Sequence, residues 1–216
     1  EAIAKAIEAA SQAGGGRVIV PAGEYLTGPI QLKSKTELHL DGGATLKFKT
    51  DPKAYLPAVR SWFEGMECYN YSPLIYAYGA ENIAITGEGV LDGQADETNW
   101  WPWKGKKEYG WKEGAPQQKT ARDRLTKMVA DGVPVEERKF GEGDYLRASF
   151  IEPFRCKNVL IEGVRIRRSP MWELHPVLST NVIVRGVHIE SHGPNNDGCD
   201  PEACKDVLIE DTVFDT

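Results

Sequence analysis

One pattern of nine residues recurs in the C-terminal half of the chain and restricts what it can fold into. Asn158-Val159-Leu160-Ile161-Glu162-Gly163-Val164-Arg165-Ile166 is echoed by Asn181-Val182-Ile183-Val184-Arg185-Gly186-Val187-His188-Ile189. It returns more loosely as Asp206-Val207-Leu208-Ile209-Glu210-Asp211-Thr212-Val213-Phe214. Weaker copies start at Asn82 and Thr36, and their separation reads as two further periods. A period of about 23 to 25 residues built of short β-branched runs means a solenoid in which each repeat is one coil. Leucine-rich repeats share the period, but the LxxLxLxxN pattern and a helical half are missing. An antiparallel sandwich would have to match three aligned copies by accident. The expected fold is therefore all-β, a right-handed parallel β-helix whose like positions stack at the interstrand spacing of about 4.8 Å.

The ends and the middle of the pattern define one domain over residues 1–216. In residues 1–13, Ile3, Ile7 and Ala10 fall on one face at helical spacing, and Gly14 to Gly16 stop the helix. Such a helix caps the open edge of the first coil. Arg17 to Val20 then reads as a strand, followed by the turn Pro21-Ala22-Gly23. From 94 to 149 the repeat is interrupted by an insertion holding Trp100, Trp101, Trp103 and Trp111, with a charged, helix-compatible stretch from Lys119 to Lys127. Insertions in a solenoid gather on one face, often the binding face. The tryptophans either stack on sugar rings or pack the insertion against the coils.

Composition narrows the function. Net charge is −6 with the basic residues scattered, which argues against a nucleic-acid partner. No apolar run is long enough for a membrane-spanning helix, and no leader with a basic start and apolar centre is visible. Cys68, Cys156, Cys199 and Cys204 are irregularly spaced without a CxxC pair. They read as free thiols, or as one disulfide in an exported protein, rather than as a zinc site. No cofactor and no metal are expected.

The densest polar stretch is Gly193-Pro194-Asn195-Asn196-Asp197-Gly198-Cys199-Asp200-Pro201-Glu202. By residue type it is a turn, and it does not fit the calcium-loop frame. It resembles the Asn-Thr-Asp-Gly-x-Asp motif of glycoside hydrolase family 28, the polygalacturonases and their relatives, with Asn195 and Asn196 in its first two places. Further matches are Gly14 to Gly23, Gly89-Val90-Leu91-Asp92-Gly93 and Ser169-Pro170-Met171-Trp172.

The resemblance implies hydrolysis of a pectic polysaccharide or oligogalacturonide with inversion of configuration. Such a reaction needs one carboxyl to protonate the leaving oxygen and one carboxylate to activate water. Asp197 takes the place of a catalytic aspartate, acting as base. The family's other two aspartates form an adjacent pair one coil later, followed by Gly-His-Gly and Arg-x-Lys. None of these is present. The reading thus expects a segment cut off before its site is complete, with the general acid beyond Thr216 and no activity by itself.

Asp200 is expected to orient the site or bind hydroxyls. Counting from the repeat starts places Glu173 and His175 one coil below Asp197, with Trp172 beside them. Trp172, His175, His192 and Asn195 are the remaining candidates for substrate binding or site orientation. Arg167 and Arg168 are candidates for meeting the substrate's carboxylates. The alternatives are a calcium-dependent β-helix pectate lyase, which needs an acidic cluster, and a non-catalytic carbohydrate-binding β-helix. Localisation by family analogy is secreted or periplasmic. The insertion leans toward exo action. The oligomeric state and the exact backbone attacked are left open.

Overall fold

The computed structural model describes residues 2–216, and Glu1, the first residue of the expected helix, lies outside them. Helix α1 (Ala2–Gln12) turns Ile7 inward, with Ile3 and Ala10 beside it, onto the first coil. The chain then runs through β1 (Gly16–Val20), β2 (Gly23–Thr27) and β3 (Ile30–Gln31), and on to β4 (Thr36–Leu40) and β5 (Ala44–Phe48). A hairpin of β6 (Val59–Phe63) and β7 (Met66–Asn70) follows, before β8 (Ile75–Tyr78), β9 (Glu81–Gly87) and β10 (Val90–Asp92). Beyond an insertion carrying α2 (Lys119–Ala130) come β11 (Ile151–Phe154), β12 (Lys157–Glu162) and β13 (Arg165–Arg167). The last strands are β14 (Thr180–Arg185), β15 (His188–Glu190), β16 (Lys205–Glu210) and β17 (Val213–Asp215).

Three parallel sheets form the walls of a right-handed β-helix, as the repeat led one to expect. The first wall runs β1-β4-β9-β12-β14-β16 and the second β2-β5-β10-β13-β15-β17. The third runs β3-β8-β11 and continues through the bridges Ile151↔Leu174↔Cys199 and Phe154↔Val177↔Glu202. Alternation does the local work. In β4, Thr36, Leu38 and Leu40 point inward and Glu37 and His39 outward, so stacked coils share one apolar core.

The register confirms the three strong repeats, since Val159 pairs with Val182 and Val182 with Val207. Their leading asparagines have a physical reason. Asn82, Asn158 and Asn181 all take the left-handed conformation (φ 58°, 57° and 55°), which asparagine tolerates. Their carboxamides form a ladder, with Asn158 donating to Asn82 (2.7 Å) and Asn181 to Asn158 (2.8 Å). At the end of β9, Gly87 (φ 109°) is obligatory, because a Cβ there would lie 2.0 Å from the Leu40 carbonyl oxygen.

One expectation is corrected. The copies at Thr36 and Asn82 are not two periods apart, because β4 pairs directly with β9 (Leu38↔Ile85). A single enlarged coil separates them, and the extra length goes into the β6–β7 hairpin. That hairpin is antiparallel and lies against the outer face of the third wall, where Val59 and Trp62 pack on Tyr76, Phe154 and Val177.

The stretch Lys119 to Lys127 is helical within α2, which buries Ala121 and Leu125 with Phe63, Cys68 and Met171. Trp100 is buried against Tyr55, Tyr71 and Trp103 and belongs to the main core. For Trp100, packing is the outcome. Trp101, Trp103 and Trp111 remain half-buried. All four cysteines are free thiols.

Candidate active site

The third wall decides which side chains meet. Leu174 and Val177 sit in register between Ile151 and Phe154 below and Cys199 and Glu202 above. Leu174 points into the core with Cys199 against it, so the next residue in each strand points outward. Tyr76, Glu152, His175 and Asp200 therefore form one outward row across successive coils.

Most of that row is covered. Glu152 and His175 are 1% and 0% exposed beneath the hairpin, and Ser61 of β6 donates to Glu152 Oε2 (3.0 Å). His175 lies 2.8 Å (Nε2) from Glu202 Oε2, and its Nδ1 is 3.0 Å from Ser149 Oγ and 3.5 Å from Glu152 Oε2. Burial alone would push this imidazole down, but Glu152 and Glu202 outweigh it and raise its pKa to about 9. The Trp172 ring stands edge-on to the imidazole, 4.8 Å between centroids. With no exposed surface, His175 cannot touch a sugar; of its two expected roles, orientation remains. Trp172 is half-buried and packs on the hairpin's side.

The row emerges at Asp200, which is half-buried, while Asp197 is exposed at the mouth. Burial first, and the neighbouring Asp197 charge second, push the Asp200 carboxyl up to about 6. Its Oδ2 is buried without a hydrogen-bond partner. Asp197 is held through its backbone. Its carbonyl accepts from Glu173 N–H (3.0 Å). The preceding Asn196 is buried and clamps the loop: Oδ1 accepts from Ser191 Oγ (2.7 Å) and Gly193 N–H (2.8 Å). Its Nδ2 donates to the carbonyls of Ser169 (3.0 Å) and Met171 (2.9 Å) on the coil below. The turn-forming residues of this motif thus build a rigid loop that presents one carboxylate.

Asn195 takes a left-handed conformation (φ 58°), and its Oδ1 accepts from Lys104 Nζ (2.8 Å) and Arg147 Nη2 (2.9 Å). His192 is exposed, with Nε2 3.7 Å from Asp215 Oδ1. Arg167 and Arg168 line a cleft with Trp101, Ser191 and His192. Both pair with the buried Asp92 of the Gly89 to Gly93 motif, Arg167 Nη2 at 3.0 Å, and staple a corner between coils. Glu173, one coil below Asp197 as expected, is fully buried rather than presented to solvent. Sequence reasoning missed Lys104, Arg147 and Glu152. All three lie in or beside the insertion, with no motif to mark them.

Among the described residues no group of three or more His, Cys, Asp or Glu is placed to hold a metal ion, so the acidic calcium cluster of a lyase has no counterpart there. No helix among them is long and apolar enough to cross a membrane.

The chain is thus a parallel β-helix solenoid with an acidic turn presented on its third wall. Comparison makes the kinship specific. The chain is 60% identical to the hyperthermoactive exopolygalacturonase of Thermotoga maritima over 96% of its own length and 46% of that chain, with a TM-score of 0.95. It is 25% identical to the family 28 exopolygalacturonase of Yersinia enterocolitica over its full length and 40% of that chain, with a TM-score of 0.72. Among curated sequences it is 28% identical over 206 residues to a probable polygalacturonase of Vitis vinifera. No protein-family model matches. The chain spans 34% of the length of that grape protein. The resemblance to the polygalacturonases of glycoside hydrolase family 28 is borne out.

Proposed function

We propose that the protein hydrolyses glycosidic bonds of a galacturonan-type pectic polysaccharide with inversion, acting from a chain end. Asp197 is the exposed carboxylate that activates water. Asp200, partly protonated near pH 6, donates a hydrogen bond to the sugar or to Asp197 and orients the site. Trp172 and His175 support this arrangement from beneath, with Asn195 and His192 at its rim. Export to the periplasm or the medium is part of the proposal, since the polymer lies outside the cell.

The single observation that carries this reading is the hairpin cover that closes one side of the site. Along one row of equivalent positions, Glu152 and His175 are sealed under the hairpin, while one coil later Asp200 and Asp197 meet solvent. A polymer lying along the row ends at Asp200 and has no path toward Glu152. Both solved relatives described above are named exopolygalacturonases, in agreement.

The test uses a polypeptide of the relatives' full length acting on polygalacturonate, with products separated by chromatography. One short, saturated product from the earliest turnovers, with viscosity falling slowly, is expected. A ladder of oligomers would exclude chain-end action. Products absorbing in the ultraviolet would mean elimination in place of hydrolysis.

A further inference from the structure

The site contains two cations that form no direct ion pair among the described residues. Arg147 is 1% exposed, yet every acceptor it reaches is neutral: Gln118 Oε1 (3.0 Å), the carbonyls of Pro170 (3.0 Å) and Pro194 (2.5 Å), and Asn195 Oδ1 (2.9 Å). Lys104 Nζ sits 2.8 Å from the same Asn195 oxygen, and neither cation forms an ion pair among the described residues. A buried charge is normally paired. Here two like charges share one carboxamide oxygen less than about 6 Å apart, an arrangement that costs energy until an anion arrives.

The surroundings agree. The carboxylates whose charges bear on Arg147 include Glu64 and Asp197, and Glu64 is taken by Arg122. Burial first, and the Arg147 charge second, hold the Lys104 ammonium below its usual pKa. Burial lowers Arg147 to about 9. The position of Lys104 is built. It ends a short 3₁₀ turn, Trp101–Lys104, which Trp101 Nε1 ties to the Ser169 carbonyl on the coil wall (2.9 Å). Trp101, close-packed over Gly193, and Trp103 flank this turn.

A galacturonan brings one carboxylate per sugar to a site already lined by Asp197, Asp200 and Glu202. Unless a cation receives that charge, like-charge repulsion opposes binding. Resting on the hydrolase reading, we propose that Lys104, backed by the buried Arg147, receives the carboxylate of the uronic acid unit next to Asp197. Lys104 supplies the direct contact. Arg147 is a positioning residue that holds Pro170, Pro194 and Asn195 and adds its field from behind. The insertion between β10 and β11 thereby makes the site select acidic over neutral sugars.

The experiment measures calorimetric binding of digalacturonate and of its methyl ester to the Asp197→Asn protein, with and without Lys104→Met. Lys104→Met is expected to weaken digalacturonate at least tenfold and leave the ester within about twofold, with Lys104→Arg restoring most of the loss. Lys104→Gln, which keeps a donor for Asn195, should lose the same selectivity and separates charge from folding. In turnover assays the loss should appear in KM. Unchanged digalacturonate binding, or equal weakening of acid and ester, would overturn the proposal. A parent that selects the acid through Lys104 but releases no sugar from galacturonan would instead sink the hydrolase reading and leave this site standing.

Discussion

Asp197→Asn is expected to lower kcat on polygalacturonate at least about a thousandfold with a modest change in KM. General base catalysis contributes about 10² to 10⁴, and an asparagine of the same shape removes the base without disturbing the fit. The structure gives reason to expect intact geometry. The loop is held by the Asn196 clamp and by the backbone bond from Glu173 to Asp197, none of which uses the Asp197 side chain. Asp200→Asn should be milder and should move the limb of the pH–rate profile near pH 6, the range to which burial and Asp197 push that carboxyl. Steady-state kinetics on both variants, beside thermal unfolding, checks the division of roles. A variant at Asp197 keeping more than a tenth of parental kcat would remove it from the chemistry. A collapse at Asp200 as deep as at Asp197, with folding unchanged, would reverse the assignment.

The second large effect concerns stability. Glu173 is fully buried, and burial outweighs the lowering influence of the Ser191 hydroxyl and the Ser169 backbone to push its pKa from 4.5 to about 8. Its folded value lies above its unfolded one, so the native state holds a proton that the unfolded chain releases. That contribution to stability is complete below pH 4.5 and is lost as pH rises toward 8, amounting to at most about 5 kcal/mol. His175, raised to about 9, acts in the same direction between pH 6.5 and 9. Urea unfolding at pH 5 and pH 8 should therefore show the parent losing several kcal/mol. Glu173→Gln, neutral at every pH, should match the parent at pH 5 and exceed it by about 3 kcal/mol or more at pH 8. A parent whose stability is flat across this range would mean that Glu173 is ionised and paired in the folded protein.

Much of this protein was legible in its sequence, for reasons particular residues make clear. Asn158, Asn181 and Asp206 announce coils because each coil must turn into its strand through the same left-handed position, and the apolar residues after them face one shared core. The aspartate turn was equally legible. Its specific Asn-Asp-Gly-x-Asp order is carried within a few residues, and its loop is closed by its own Asn196. The spacing also placed Glu173 and His175 one coil below, because in a stacked solenoid sequence distance converts directly into height.

Spacing misled where the chain leaves the coils. Val59–Phe63 and Met66–Asn70 lie in the interval between the Thr36 and Asn82 copies that read as two periods, and only the direct pairing of Leu38 with Ile85 shows that they fold outward as a hairpin. Burial was likewise beyond reach. His175 and Trp172 read as groove residues until that hairpin covers them, and Arg167 and Arg168 read as free cations until Asp92 engages both. Lys104 and Arg147 stand 91 and 48 residues from the Asn195 they share. The repeat determined the coils because identical local geometry recurs at each one. The closed groove and its cations were decided by the two excursions that leave the coils, whose docking depends on contacts between residues far apart in the chain and carries no periodic signal.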